Sequence, residues 1–258
     1  MVSLVELFAA AARDRRHGAG EIERRLVEGL IGCREAWSRD ALAAGAVELV
    51  RGQPAMANLR SLARALAGGA LAEVEGSLLR RAALLDELPE RLGAAARPHL
   101  EGAARVVTLS RSSAVAAVLS HAWEGGWRGE TVVLDGSPAG GGPDQAVVLA
   151  RVLDDVRSQP DATAPQWLDG GRVRVLIGAD ALSTERLVNA CGTLALLELA
   201  GSRSVPVLVV ADTGKDLPDA ELDELIAASP SQRGDEPGRL WRIFEAAPLA
   251  AVTVRIHE

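Results

Sequence analysis

No apolar run in the 258-residue chain approaches the roughly 18 residues that would span a bilayer, which excludes a membrane-spanning helix. Met1 to Arg16 does not read as a signal peptide, because Glu6 interrupts the apolar stretch and Arg13, Arg15 and Arg16 follow it. The expected location is therefore the cytoplasm. Cysteine is scarce: Cys33 and Cys191 are too few for a disulfide scaffold or a thiolate zinc site. His17 and His257 have no second histidine at ligand spacing, so neither a metal nor any other cofactor is implied. Positive charge is also lacking. A net charge of −7 argues against nonspecific binding to nucleic acid or anionic lipid. Lysine is almost absent, with Lys215 the single one among 28 basic residues.

What is present divides the chain. Residues 1–101 lack runs of β-branched residues and read as a helical domain, while 102–258 read as a Rossmann-like α/β domain. In the first part Ile22, Leu26, Val27, Leu30 and Ile31 repeat on one helix face. The small residues Gly18, Ala19 and Gly20 precede that face and allow a sharp turn, or a helix start whose N–H groups favour an anion. Gln53-Pro54 is expected to open another helix with proline in its first turn, and 78–92 supplies one more.

Beyond Gly102 short apolar runs alternate with helical stretches. Strands are expected at 105–109, 131–134, 172–177, 205–210 and 250–256, with helices at 114–121, 144–156 and 184–200. This pattern predicts an open, mostly parallel sheet with helices on both faces. In such sheets ligands sit at the carboxyl ends of the strands. The polar residues there are Ser110, Arg111, Ser112 and Ser113 after the first strand, Asp135 after the second, Asp180 after the third, and Asp212 to Lys215 after the fourth. The hydroxyl cluster either caps the following helix or holds a phosphate; capping needs only one serine. Asn189, Gly192 and Thr193 are expected on one helix face, the glycine marking a close approach to the backbone. Trp123 and Trp127 read as a helix end folded onto the core or the dimer surface, Gly140 to Gly142 lacks the spacing of a dinucleotide fingerprint, and 216–224 reads as a solvated helix face.

Several stretches occur in an order that resembles one superfamily. They are Asp14 to Ala19, Pro54 to Ala57, Val106 to Ser113, Gly178-Ala179-Asp180, Val188 to Thr193, Val205-Pro206-Val207 leading to Lys215, and Phe244 to Pro248. The superfamily is shared by the alpha, beta and delta regulatory subunits of eukaryotic translation initiation factor 2B, methylthioribose-1-phosphate isomerase and ribose-1,5-bisphosphate isomerase. The resemblance implies a helical domain on a Rossmann-like domain, a homodimer through the latter, and a site between the two that takes a phosphorylated small molecule. It implies that the isomerases convert an aldose 1-phosphate to a ketose 1-phosphate with a cysteine after the first strand and the aspartate of the Gly-Ala-Asp motif.

Asp180 matches that aspartate, but the cysteine position holds Ser110. A thiol exchanges protons near neutrality, whereas a serine hydroxyl needs a neighbouring base. Other departures are Gln53-Pro54 for the family's Arg-Pro, Asp135 to Pro138 for Glu-Ser-Arg-Pro, and Asn189-Ala190 for Asn-Lys. The main expectation is a regulatory protein that binds a sugar phosphate or nucleoside monophosphate through Gly18, Ala19, Gly20, Arg111, Ser112, Ser113, Asn189 and Lys215. The alternatives are a divergent phosphosugar isomerase using Asp180 with Ser110, and a structural dimer with a collapsed cleft. Cys191 reads as a small buried cysteine on a helix. The stretch 158–171, poor in β-branched residues, suggests that the sheet lacks a strand there or is irregular.

Overall fold

The computed structural model describes residues 3–228, 231–233 and 240–258. Helices come first: α1 (Leu4–Arg13), α2 (Ala19–Gly32), α3 (Arg39–Gly52), α4 (Ala57–Ala67) and α5 (Leu71–Leu100). Ser3 starts α1 with a capping box to Glu6, and Ser38 caps α3. The rest alternates: β1 (Arg105–Leu109), α6 (Ser113–Glu124), β2 (Glu130–Leu134), α7 (Gly142–Leu149), β3 (Val156–Gln159), α8 (Ala164–Trp167), β4 (Val173–Ile177), β5 (Ala181–Leu182), β6 (Arg186–Ala190), α9 (Thr193–Ser202), β7 (Val207–Val210), α10 (Asp219–Ala228), β8 (Ser231–Arg233), β9 (Leu240–Arg242), β10 (Phe244–Pro248) and β11 (Val254–Ile256).

Six strands pair in parallel in the order β11-β7-β4-β1-β2-β3. The chain builds outward from β1 through β2 to β3, then returns to lay β4, β7 and β11 on the other side. The switch point thus lies between β1 and β4, where a parallel sheet opens a crevice beyond its carboxyl ends. Successive strand residues face opposite cores, as a two-residue period requires. Val106, Val133 and Leu176 join a cluster that also holds Phe8, Leu26, Leu30, Leu88 and Leu92 from the helices. Val107, Val132, Val175 and Ile177 face a second cluster with Leu196 and Leu197 of α9.

Several expectations are corrected. The helix expected from 144 to 156 ends at Leu149, and Val156 opens β3, the strand that 158–171 was expected to lack or distort. β3 is a sheet edge with exposed Arg157 and Ser158, so it needs few apolar residues. The helix expected from 184 to 200 is two elements. Arg186–Ala190 pairs antiparallel with β10 and with β5 in a small separate sheet, and α9 begins only at Thr193. Asn189, Gly192 and Thr193 therefore do not share a helix face. Gly192 is required by its backbone, φ 96°, not by close packing, since an added Cβ would meet Leu109 at an ordinary 3.6 Å. Cys191 consequently lies in a strand-to-helix turn. Pro54 sits in the turn before α4 rather than inside it, and α5 runs far past 78–92, carrying Pro89 and Pro98 within it. The acidic stretch 216–224 is not merely solvated: on α10, Asp219 pairs with Arg186 at 2.6 Å, and Glu221 pairs with Arg64. Trp127 folds back as expected, its indole N–H donating to the Ala103 carbonyl at 2.8 Å. No helix among the described residues is long and apolar enough to cross a membrane.

Candidate functional site

At the switch point a cleft of about 730 Å³, open mouth included, lies between the helices and the sheet. β1 delivers Ser110 and Arg111 to it, the turn after β4 delivers Asp180, and β6 delivers Asn189. The helical part contributes the 14–18 loop and Gln53 to Met56. The turn that carries Asp180 is fixed from both parts: its N–H donates to Val188 O at 2.8 Å, and its carbonyl accepts from Ala57 N at 3.0 Å.

Asp180 is half-buried, and its carboxylate has no hydrogen-bond donor among the described residues. Burial pushes its pKa up to about 6, against the opposing pull of Lys215. A carboxyl poised there gives and takes protons near neutrality. Ser110 has a left-handed backbone, φ 61°, rare for a residue with a side chain. Glycines make room for it: a Cβ on Gly136 would come within 2.5 Å of Ser110 Cβ, and one on Gly141 within 3.0 Å of its Oγ. Strain of this kind, held by close packing at a cleft, is typical of functional positions.

Basic groups surround the mouth, most of them already paired. Arg111 donates to Glu21 at 2.8 Å and lies 3.6 Å from Asp144, so its charge is largely spent within the protein. His17 Nδ1 lies 2.6 Å from Asp14 Oδ2, and its Nε2 lies 3.4 Å from Glu21. Burial pushes the Asp14 carboxyl up, but hydrogen bonds from His17 and from the backbone N–H groups of Arg16 and His17 outweigh it and hold the pKa below its usual value. Arg15 is tied to the carbonyls of Ala12, Asp14 and Gly52. Arg16 lines the cleft, exposed and without an ion pair among the described residues. Gly18 is the N-cap residue of α2 and has no side chain to occupy the first N–H groups of the helix.

The sequence-predicted residues divide. Gly18, Ser110, Arg111, Asp180 and Asn189 line this cleft. Gly20, Ser113 and Lys215 line a neighbouring cleft of about 720 Å³ against Leu85, Leu88 and Leu92. Ala19 is buried. Ser112 is the N-cap of α6, its hydroxyl accepting from Val115 N at 3.3 Å. Lys215 is buried, and its ammonium donates to the Ala179 carbonyl behind Asp180. Asn189 spends its N–H₂ group on Thr193 at 3.0 Å. Cys191 contacts Glu245 outside the cleft, and burial with that neighbouring carboxylate pushes its thiol pKa up.

Sequence reasoning missed Arg16, His17 and Gln53 as cleft residues, although the first two lie in a stretch that carried the resemblance and Gln53 stands where the chain departs from it. Gln53, buried, donates to the carbonyls of Ala11 and Asp14 at 3.0 and 2.6 Å and so anchors the 14–18 loop.

The model of the initiation factor 2 subunit family matches residues 8–233. The chain belongs to that family. Ribose 1,5-bisphosphate isomerase from Haloterrigena turkmenica is 31% identical over 166 residues, 62% of this chain and 50% of its own, so the chain spans half the length of that relative. Among solved structures, translation initiation factor eIF-2B of Pyrococcus horikoshii OT3 superposes with a TM-score of 0.86 at 21% identity, covering 98% of this chain and 94% of that one. The 5-methylthioribose 1-phosphate isomerase of the same organism superposes with a TM-score of 0.62 at 17% identity, covering 98% and 82%. The beta and delta chains of Chaetomium thermophilum eIF2B form a tetramer, and a chain of that complex superposes with a TM-score of 0.68 at 16% identity, covering 98% and 88%. These superpositions establish the fold.

Proposed function

We propose that the cleft binds a phosphorylated sugar and that Asp180 acts on it as acid and base, in an aldose-to-ketose isomerisation of the ribose 1,5-bisphosphate type. The observation that carries this reading is Asp180 itself: a carboxyl at the sheet's switch point, without a donor among the described residues and with its pKa pushed up to about 6. In the opened sugar, hydrogen moves between C2 and C1 with no net oxidation. One group removes a proton and one returns it, while the phosphate is held still. Arg16 and the open start of α2 suit the phosphate. The relative from Haloterrigena turkmenica supports the substrate class.

Ser110 favours a second reading. Its hydroxyl stands where the resemblance implies a thiol, and no base is bonded to it among the described residues, so a regulatory protein that binds the sugar phosphate without turning it over fits that residue better. Phosphorus NMR of the protein incubated with ribose 1,5-bisphosphate separates the two. Isomerisation predicts a ketose product, a roughly 10² to 10⁴-fold loss in Asp180→Asn, and a gain in Ser110→Cys. Saturable binding with no product, in the native protein and in Ser110→Cys alike, rejects the enzyme and leaves the regulatory reading.

A further inference from the structure

Beside α2, buried polar and charged groups converge. Glu23 of α2 (2% exposed), Asn58 of α4 (1%) and Asp212 (5%) after β7 meet there, with Arg81 of α5 joining Glu23 to Asp212, and Lys215 (6%) lies in the turn that follows Asp212. Arg81 Nε and Nη2 donate to Glu23 Oε1 and Oε2 at 2.7 and 2.6 Å, and Nη2 also donates to Asp212 Oδ1 at 2.8 Å. Asn58 completes Glu23 with a bond of 2.8 Å. Gly214 admits this arrangement, since a Cβ there would come within 2.7 Å of Asp212 Oδ1 and 2.9 Å of Arg81 Nη2.

Lys215 shares a helical turn with Asp212, its N–H donating to the Asp212 carbonyl at 3.0 Å. Its ammonium nevertheless donates to Ala179 O, the residue before Asp180. Of the carboxylates beside it in sequence, Asp216 is paired with Arg255, and Asp212 could claim that ammonium were its Oδ1 not already held by Arg81. Paired charges cost least when every partner is committed, so removing one cation redirects the other.

Resting on the acid–base reading of Asp180, we propose that Arg81 is a positioning residue: by holding Asp212 and Glu23, it leaves Lys215 on the Ala179 carbonyl and so fixes the charge behind Asp180. The other charged groups at the site, Asp14, Arg15, Arg16, His17 and Arg111, reach it from the cleft side.

The test is a pH titration of the aspartate carboxyl carbons by ¹³C NMR in the full chain, with the Asp180 signal assigned through Asp180→Asn. Arg81→Met is expected to raise the Asp180 midpoint by about half a pH unit or more, because two carboxylates lose their cation; Asp212→Asn lowers it, and Arg81→Lys stays near the native value. If Arg81→Met does not fold, Asp212→Asn and the doubly neutralised Glu23→Gln/Arg81→Met decide between them. Folded variants whose Asp180 midpoint stays within about 0.2 of the native one overturn the proposal and reduce Arg81 to a structural tie. A native Asp180 that titrates in the ordinary carboxylate range overturns the acid–base reading instead, and the displacement between variants still reports on Arg81.

Discussion

In one place Glu23 and Asp212 are buried and each is bonded to Arg81 at 2.6 to 2.8 Å; in another, Asp180 lines a cleft with no donor on its carboxylate among the described residues. Both places hold acidic groups withdrawn from water. In the first, the charge is compensated within the fold, and its effect is to join α2, α5 and the end of β7. In the second, compensation is left incomplete, which costs stability and leaves a group free to exchange a proton with a ligand. Satisfied charge here ties elements together, and unsatisfied charge marks the place where chemistry is expected.

Three measurements would break or sharpen that contrast. The largest effect is expected on the satisfied side: Arg81→Met strands two buried carboxylates and should lower unfolding stability by roughly 3 to 5 kcal/mol, read by denaturant titration at pH 7. A loss below about 1 kcal/mol would mean that water reaches the cluster.

Asp180→Asn should act in the opposite direction. The folded-state pKa of Asp180, raised from 3.8 to about 6, means that the folded protein holds this proton more tightly than the unfolded chain. The stabilisation is complete below the unfolded value and is lost as pH rises through the folded one. The native protein should therefore lose on the order of 3 kcal/mol from this group between about pH 4 and pH 7. The Asn variant should show a flatter profile and a higher melting temperature at pH 7. Identical pH profiles for the two proteins would show that Asp180 is well solvated.

The smallest change in stability is expected at the cleft mouth. Arg16→Ala should leave stability within about 0.5 kcal/mol while weakening ribose 1,5-bisphosphate binding roughly tenfold or more, measured by calorimetry. Unchanged affinity would remove Arg16 from the phosphate subsite.

The strands at 105–109, 131–134, 172–177 and 205–210 were legible because a parallel strand covered on both faces must be apolar throughout, as Val107 and Val175 are. β3 was hidden by the same rule: an edge strand carrying Arg157 and Ser158 obeys no such demand. β6 was read as helix because Leu187, Val188 and Ala190 are apolar in a short run that suits either state, and its partner β10 lies more than fifty residues away. Of the site, Asp180 and Ser110 were legible through their place after a strand. Arg81, Asn58 and Glu23 were not, since each sits on an amphipathic helix where a single polar residue looks like solvent-facing surface.

The amino-acid sequence alone determined the kinds of element, the alternation that makes a parallel sheet, and the carboxylate and hydroxyl at its open end, because these follow from local periodicity and from what must be apolar. Which basic groups remain free for a ligand was decided only by the tertiary structure. Arg111 and Lys215 carry the right chemistry, but the distant Glu21 and the Ala179 carbonyl engage them, while Arg16 is left without an ion pair among the described residues. Whether a charge is available depends on what stands within a few ångströms of it, and that is set by packing between distant parts of the chain.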